Sequence, residues 1–560
     1  MRIRKTFRCI VRATALACLA SQSASAATDY TLTPRFRNGA LVAVGIDLSL
    51  TAGAAGRTTI DLPDHSVGQE RLWRGIQNLS VSGSHARLLP GGSRTKIIVR
   101  SDPHARVAIH YDVVQDWKGA PGQNEASYQR AVVQPGYFHL LGSTVFALAS
   151  SGDKEPVTFR FGPAPNGWTL ASTLERAPLT IKDIRASVTV GGDWRVLRSG
   201  PLRVALRGEW HFSDADFVRR ARAIVDTEQA YWGDAPAPYL ITVLPLASNG
   251  ITGTAGGEGL DGGFAFFLTP ALARSVDDSR IVYGLAHERM HTWIPAQLGA
   301  WPKSEPQGTA WLTEGFTDYF ARRVLLGSRI WRLDGYVSRF NALLHDYDVS
   351  PVRTAPNARI AREFFSNPDI QQLPYQRGSL MAAYWDWRLR KAAIAGGMNA
   401  IIHDMRTRGR ARPGKTADEN FVAAMAAHGV DVRGDITRFI EHGEQIWLPR
   451  DTFAPCGTVA TARIPVFTYG FDAAATATNG QIVKGADPNG PAYAAGLRDG
   501  MKIVARLSPP DLDSRIRRVY RVLDRGRTRD IGYLPAAKTS IAVQSFIANS
   551  RQACSSVLGG

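Results

Sequence analysis

His287-Glu288-Arg289-Met290-His291 is followed in this chain by Trp311-Leu312-Thr313-Glu314-Gly315-Phe316-Thr317-Asp318-Tyr319. Residues i and i+4 share one face of a helix. His287 and His291 can therefore bring two imidazoles to one ion, while Glu288 faces the open coordination position as a base. A third ligand is needed. Glu314 supplies it from a second helix, 23 positions after His291, because the Pro- and Gly-containing segment 295–308 lets the chain turn back. Asp318, one turn further, is placed to hold a ligating histidine in its tautomer. Acids at 314 and 318, set among Trp311, Leu312, Phe316, Tyr319 and Phe320, are costly to bury without a partner. The spacing predicts two helices meeting at a zinc ion, the arrangement of a zinc peptidase.

The first 26 residues read as a secretory signal. Arg2, Arg4, Lys5, Arg8 and Arg12 precede a largely apolar run, and Ala24-Ser25-Ala26 forms an A-x-A site with cleavage expected after Ala26. Cys18 follows Ala15-Leu16-Ala17, a poor match to a lipidation box. No later stretch has the roughly 18 apolar residues of a membrane span, so the expected location is periplasmic or secreted. Loss of the signal lowers the formal charge from +18 to +13. An exported basic chain with no recognisable nucleic-acid fold is matched to acidic envelope surfaces or peptides rather than to nucleic acid. The basic segment 515–529 alternates in part as a strand does and reads as a solvated strand face. Cys456 and Cys554 alone remain of the four cysteines, and an even count in an oxidising compartment predicts that they pair.

The pattern along the chain predicts a multidomain α+β protein. Short alternating runs at 30–36, 41–50, 96–100, 106–114, 143–148, 157–161 and 187–190 make 27–210 an N-terminal antiparallel β domain. Ser213 and Asp216 form a capping box that opens a helix to about Trp232, and a strand at 239–244 follows. The region 211–450 then carries the glycine-rich run 253–259, an apolar run at 264–268 read as an exposed strand that a peptide could pair with, the two motif helices, and helices near 379–395, 419–428 and 436–442. Short strands return over 455–548 with one helical piece near 491, and the tail 549–560 is expected to be loosely ordered apart from Cys554.

H-E-x-x-H at 287–291, W-L-T-E-G-F-T-D-Y at 311–319 and Tyr375-Gln376-Arg377-Gly378-Ser379-Leu380 together resemble the glycyl aminopeptidase family of gluzincin zinc metallopeptidases. The resemblance spans most of the mature chain. It implies an N-terminal β domain, a thermolysin-like, mainly helical catalytic domain, and a C-terminal PDZ-like β domain whose Ala495-Gly496-Leu497-Arg498-Asp499-Gly500 run matches the family's. It further implies zinc on His287, His291 and Glu314, Glu288 as general base, and Tyr375 as donor to the oxyanion. Arg377 reads either as a contact for a substrate carboxylate or as a surface salt bridge. The family's G-G-L-E-H-type segment has its nearest match in Gly256-Gly257-Glu258-Gly259-Leu260, with the glutamate one position out of register and no histidine after it. Glu258 is then either the anchor of a substrate's free ammonium or a loop residue. Tyr469-Gly470-Phe471 is either the loop that captures a peptide end or an ordinary turn. The expected activity is hydrolysis of peptide bonds by metal-activated water, in an aminopeptidase or an endopeptidase. A peptide-binding scaffold with decayed catalysis is the reading from another class.

Overall fold

The computed structural model of the chain describes residues 28–558 apart from 67, 123, 150–151, 249–252, 303–305 and 510–511. The expected signal segment 1–26, with Cys18, lies outside the described residues. Asn38 and Gly39, with φ of 51° and 79°, close a two-residue hairpin between Thr28–Arg37 and Ala40–Thr51. Positive φ at both positions matches the right-handed twist of the flanking strands. Alternation along both strands sends Tyr30, Leu32, Ile46 and Leu48 into a common core. This pair stands at the centre of a six-stranded sheet in the order Leu179–Thr180, Pro156–Phe161, Thr28–Arg37, Ala40–Thr51, Arg106–Val113, Ile76–Gly83. Thr28–Arg37 and Pro156–Phe161 run parallel, an exception to the antiparallel pattern. The expected strand at 143–148 is instead a helical turn, Gly142–Val145, followed by the two-residue strand Leu148–Ala149. The Thr144 hydroxyl, donating to the Leu141 carbonyl at 2.9 Å, favours the turn locally.

A second sheet of Thr169–Ser172, Val188–Gly192, Tyr137–Leu141 and Val132–Gln134 packs against the central sheet through Val188, Val190, Leu240, Leu244, Ala265 and Phe267. His139 is fully buried between them, its Nε2 3.1 Å from the Thr242 hydroxyl, and burial lowers its imidazole to about 3, which keeps it neutral.

The central sheet has the order Arg195–Ser199, Leu202–Leu206, Tyr239–Pro245, Gly263–Leu268, Ala255–Leu260. Its first two strands precede residue 211, so the change of pattern there marks the first long helix and not the start of this layer. That helix, Asp214–Trp232, is the crossover between the parallel strands Leu202–Leu206 and Tyr239–Pro245. The Ser213 hydroxyl caps its start by accepting from the Asp216 N–H at 3.1 Å, and Gly233 ends it at φ 69°.

One expectation reverses at the other end of the sheet. The apolar run Gly263–Leu268 is buried at every position and lies inside the sheet, as a continuous apolar strand covered on both faces should. The glycine-rich run is the edge strand, Ala255–Leu260. Glycine is required there by close approach: a Cβ on Gly257 would stand 2.1 Å from the Phe264 ring, and one on Gly259 would stand 2.9 Å from Glu288 Oε2.

Below the sheet lie the motif helix Ser279–Met290, the helical segments Ala310–Thr313 and Gly315–Gly327, and the helices Leu333–Val349, Pro368–Lys391, Gly397–Ala411 and Ala417–Ala427. The helix expected from 379 begins earlier, at Pro368. The Asn367 side chain caps it by accepting from the Asp369 and Ile370 N–H groups, and proline is suited to its first turn. It crosses the Glu314 segment at two glycines. A Cβ on Gly378 would lie 1.8 Å from the Trp311 carbonyl oxygen, and one on Gly315 would lie 2.4 Å from Gly378 Cα.

Toward the C-terminus, Gly457–Phe467 pairs with Ala536–Ala548, and the latter is joined to Leu333–Val349 by Asn341, which exchanges two hydrogen bonds with the Phe546 backbone at 2.6 and 3.0 Å. Lys502–Arg506, Arg518–Asp524 and Arg527–Tyr533 form a small sheet with its own core of Val483, Leu497, Tyr520, Val522 and Ile531. Within the basic segment, Arg521 pairs with Asp530 at 2.8 Å on an exposed face. Cys456 and Cys554 are bonded, S–S 2.01 Å. The tail departs from expectation: Arg551–Leu558 is a helix that buries Val557 and Leu558 in the main core.

The glycine crossing generates the first prediction. Gly378→Ala must push two backbones apart and should destabilise the protein by about 1–3 kcal/mol or more, whereas Gly335→Ala, which meets open space in a helix, should be neutral or slightly stabilising. Thermal unfolding of the two variants checks this, and equal melting temperatures would contradict it.

Candidate metal centre

The motif helix opens on Asp278, whose carboxylate accepts from the Arg280 N–H at 2.9 Å, and it ends at Met290 with His291 as its C-cap. The two histidines thus stand on its final turn, below the edge strand. Their Nε2 atoms are 3.1 Å apart, and Glu314 Oε2 is 3.3 Å from that of His287 and 3.4 Å from that of His291. Donors bound to zinc at roughly 2.0–2.2 Å and at tetrahedral angles stand about 3.3–3.5 Å from one another. Two imidazoles and a carboxylate at this spacing fit zinc and leave one position open. Among the described residues, His287, His291 and Glu314 form the one cluster of this kind.

The remaining ring nitrogens fix the orientation. His287 Nδ1–H donates to Asp318 Oδ1 at 2.8 Å, and His291 Nδ1–H donates to the Ile294 carbonyl at 2.8 Å. Both assignments turn the Nε2 lone pairs toward the centre of the triangle. Asp318 is itself held: Arg322 donates to its Oδ2 at 2.7 Å, and the Tyr283 hydroxyl donates to Oδ1. Burial pushes Asp318 up to about 6 against the opposing pull of Arg322.

The electrostatics call for a cation. Burial raises the Glu314 carboxyl, but His291 and His287 beside it hold it well below the usual range. Burial lowers His291 while the Glu314 and Glu288 carboxylates raise it, to a net of about 10. Glu258 is pushed up to about 8 by burial and by Glu288 and Glu314. Three carboxylates gathered beside two imidazoles suit a bound cation.

Glu288 and Tyr375 line the same cleft as His287 and Glu258, a cavity of about 810 Å³. Glu258 is opposite Ala265 in the edge strand. Tyr375 lies within its helix, its ring centroid 5.8 Å from that of His287, and burial followed by the Glu314, Glu288 and Asp318 charges raises its phenol well above the ordinary value. Arg377 does not join them. It is fully buried and donates to the carbonyls of Ala355 at 2.7 Å and Arg353 at 3.0 Å, so both earlier readings, a substrate contact and a surface salt bridge, are corrected. Gly470, at φ 72°, accepts from the Asp487 N–H at 2.9 Å through its carbonyl.

The site also contains residues that the sequence reading passed over. Tyr283 is one turn before His287 and Arg322 one turn after Asp318, so i,i+4 spacing on the two motif helices was the available signal. Tyr128 and Gln129, from the N-terminal region, reach the wall of the cleft and carry no such signal.

The fold defined by these layers is shared with a solved structure. The chain is similar over 95% of its length to an aminopeptidase N family protein from Idiomarina loihiensis, covering 100% of that chain with a TM-score of 0.68 at 15% sequence identity. No protein-family model matches the sequence, and a search of curated proteins gives no match. Among the described residues, no helix is long and apolar enough to cross a membrane.

Glu314→Ala should remove a ligand and Asp318→Ala only the brace on His287. We expect zinc affinity to fall by about 10- to 100-fold in Asp318→Ala and further in Glu314→Ala, measured by competition with a chelator. Normal zinc binding by Glu314→Ala would contradict the site.

Proposed function

We propose that the chain is an exported zinc-dependent aminopeptidase of the gluzincin type, with a thermolysin-like catalytic region and a PDZ-like C-terminal module. The observation that carries this reading is the near-equilateral triangle of His287, His291 and Glu314, with Glu288 and Tyr375 in the same cleft. When bound, zinc supplies Lewis acidity toward the scissile carbonyl and the attacking water. Glu288 takes the proton of that water and delivers it to the leaving amine. The Tyr375 phenol, kept protonated by its surroundings, donates to the carbonyl oxygen as negative charge develops there. Asp318, Arg322 and Tyr283 keep the His287 ring in place throughout.

Glu258 on the edge strand favours the amino-terminal mode over internal cleavage. A carboxylate beside Glu288, in surroundings that disfavour its charge, gains most when it meets a substrate ammonium. The free side of the edge strand offers backbone groups to an extended peptide. A Cβ on Gly259 would stand 2.9 Å from Glu288 Oε2, so the edge strand passes close to the base and brings the anchored end near the hydrolysed bond.

Two measurements test the proposal. Glu288→Gln should keep its zinc and lose activity by at least about 100-fold, since the amide keeps the shape and cannot take a proton; near-normal turnover would remove Glu288 from the reaction. Acetylating the substrate amine should abolish cleavage, and Glu258→Ala should raise KM or lower kcat on free peptides, because charge-assisted hydrogen bonds to the ammonium are lost. Equal cleavage of free and blocked peptides at internal bonds would identify an endopeptidase.

A further inference from the structure

The cleft over the metal centre is lined by arginines as well as by carboxylates. The helix Leu333–Val349 turns Arg339, Ala342, Leu343 and Asp346 into the cavity, the i, i+3, i+4, i+7 stripe of one helix face. Arg280 and Arg322 line the cavity as well. Arg322 is committed to Asp318 at 2.7 Å, the Tyr283 hydroxyl at 3.1 Å and the Ser379 hydroxyl at 3.2 Å. Arg280 is committed to the Leu272 carbonyl at 2.8 Å and to Asp278 at 3.3 Å.

Arg339 is different. Among the described residues no carboxylate lies within ion-pair distance of it, and its guanidinium rests 5.8 Å from the centre of the Trp331 ring. Burial and the charges of Arg322 and Arg280 both work against its own charge, and Asp278, the acid that offsets them, is held by Arg280. Asp346 is two turns along the helix, about 10 Å by helical rise, and is taken up with His345 at 3.2 Å. A half-buried guanidinium crowded by like charges and open to a cleft is a site for an anion from outside, and a planar carboxylate suits its paired donors. Gln376, which also lines the cavity, presents a buried Oε1 with no hydrogen-bond partner among the described residues, an acceptor for a peptide N–H.

We propose that Arg339 binds a carboxylate of the peptide substrate and selects for peptides that carry one, either at a free C-terminus or on an acidic side chain. This rests on the peptidase reading above. With Glu258, Glu288 and Arg339 all lining it, the cleft can take an ammonium at one end of a peptide and a carboxylate further along.

Equilibrium binding to the zinc-loaded Glu288→Gln protein, which leaves the peptide uncut, tests this by calorimetry. Four tetrapeptides with free amines serve as probes: Ala-Ala-Ala-Ala amide, Ala-Ala-Ala-Ala with a free C-terminus, and Ala-Glu-Ala-Ala and Ala-Ala-Glu-Ala as amides. At least one carboxylate peptide should bind about 10- to 100-fold tighter than the neutral amide. Adding Arg339→Gln should erase that difference while the neutral amide changes less than about twofold, and Arg339→Lys should restore part of it. Preference for the free C-terminus assigns the site to short peptides, and preference for a glutamate peptide assigns it to acidic side chains. Equal binding of all four, or equal loss on all four in Arg339→Gln, would overturn the assignment and leave the peptidase reading standing. Failure of every peptide to bind would overturn both.

Discussion

A buried carboxylate, Asp318, ties the motif helix to Gly315–Gly327, the helix that starts just after Glu314. It is almost fully enclosed, and an isolated charge there would cost several kcal/mol. Three groups offset that cost: Arg322, Tyr283 and the His287 ring, which donate to its two oxygens. Each of these interactions also does geometric work. Arg322 extends the network to Ser379 on the Tyr375 helix, and the Ser379 hydroxyl donates in turn to the Gly315 carbonyl at 3.0 Å. One satisfied polar network therefore fixes three helices around the metal position. Removing Asp318 would take from Arg322, Tyr283 and His287 the acceptor they share.

Close packing completes what the polar network begins. The contact of Gly315 with Gly378 brings two helix backbones together where larger residues would separate them, and that approach sets Tyr375 beside His287. Gly259 does the same for the edge strand and Glu288. The glycines thus place the Tyr375 helix and the substrate-facing strand relative to the histidines.

Much of the centre was legible in the sequence because it depends on helical spacing alone. His287, His291, Glu314 and Asp318 follow from i,i+4 periodicity and from acids set in an apolar helix. The alternating strands at 30–36 and 41–50 and the capped helix after Ser213 are similarly local. The misreadings came where tertiary packing decides. The run at 264–268 is apolar enough for either an edge or an interior strand, and only the sheet order assigns it. Arg377 was misplaced because the start of its helix was set too late. Once the helix begins at Pro368, two residues span about 200°, so Arg377 points away from the cleft that Tyr375 faces. The tail lacked any local signal for the core that receives Val557 and Leu558. Arg339 carries no sequence signal at all, since an unpaired arginine on a helix looks like any solvated one until its neighbours are in place.

The central claim is that His287, His291 and Glu314 hold one zinc ion at the mouth of a peptide cleft. Diffraction data from crystals of the metal-loaded protein, collected on both sides of the zinc absorption edge, test it most directly. One anomalous peak should be present above the edge and lost below it, at roughly 2.0–2.2 Å from the two Nε2 atoms and Glu314 Oε2. A protein that takes up no zinc, or a peak held by other residues, would contradict it.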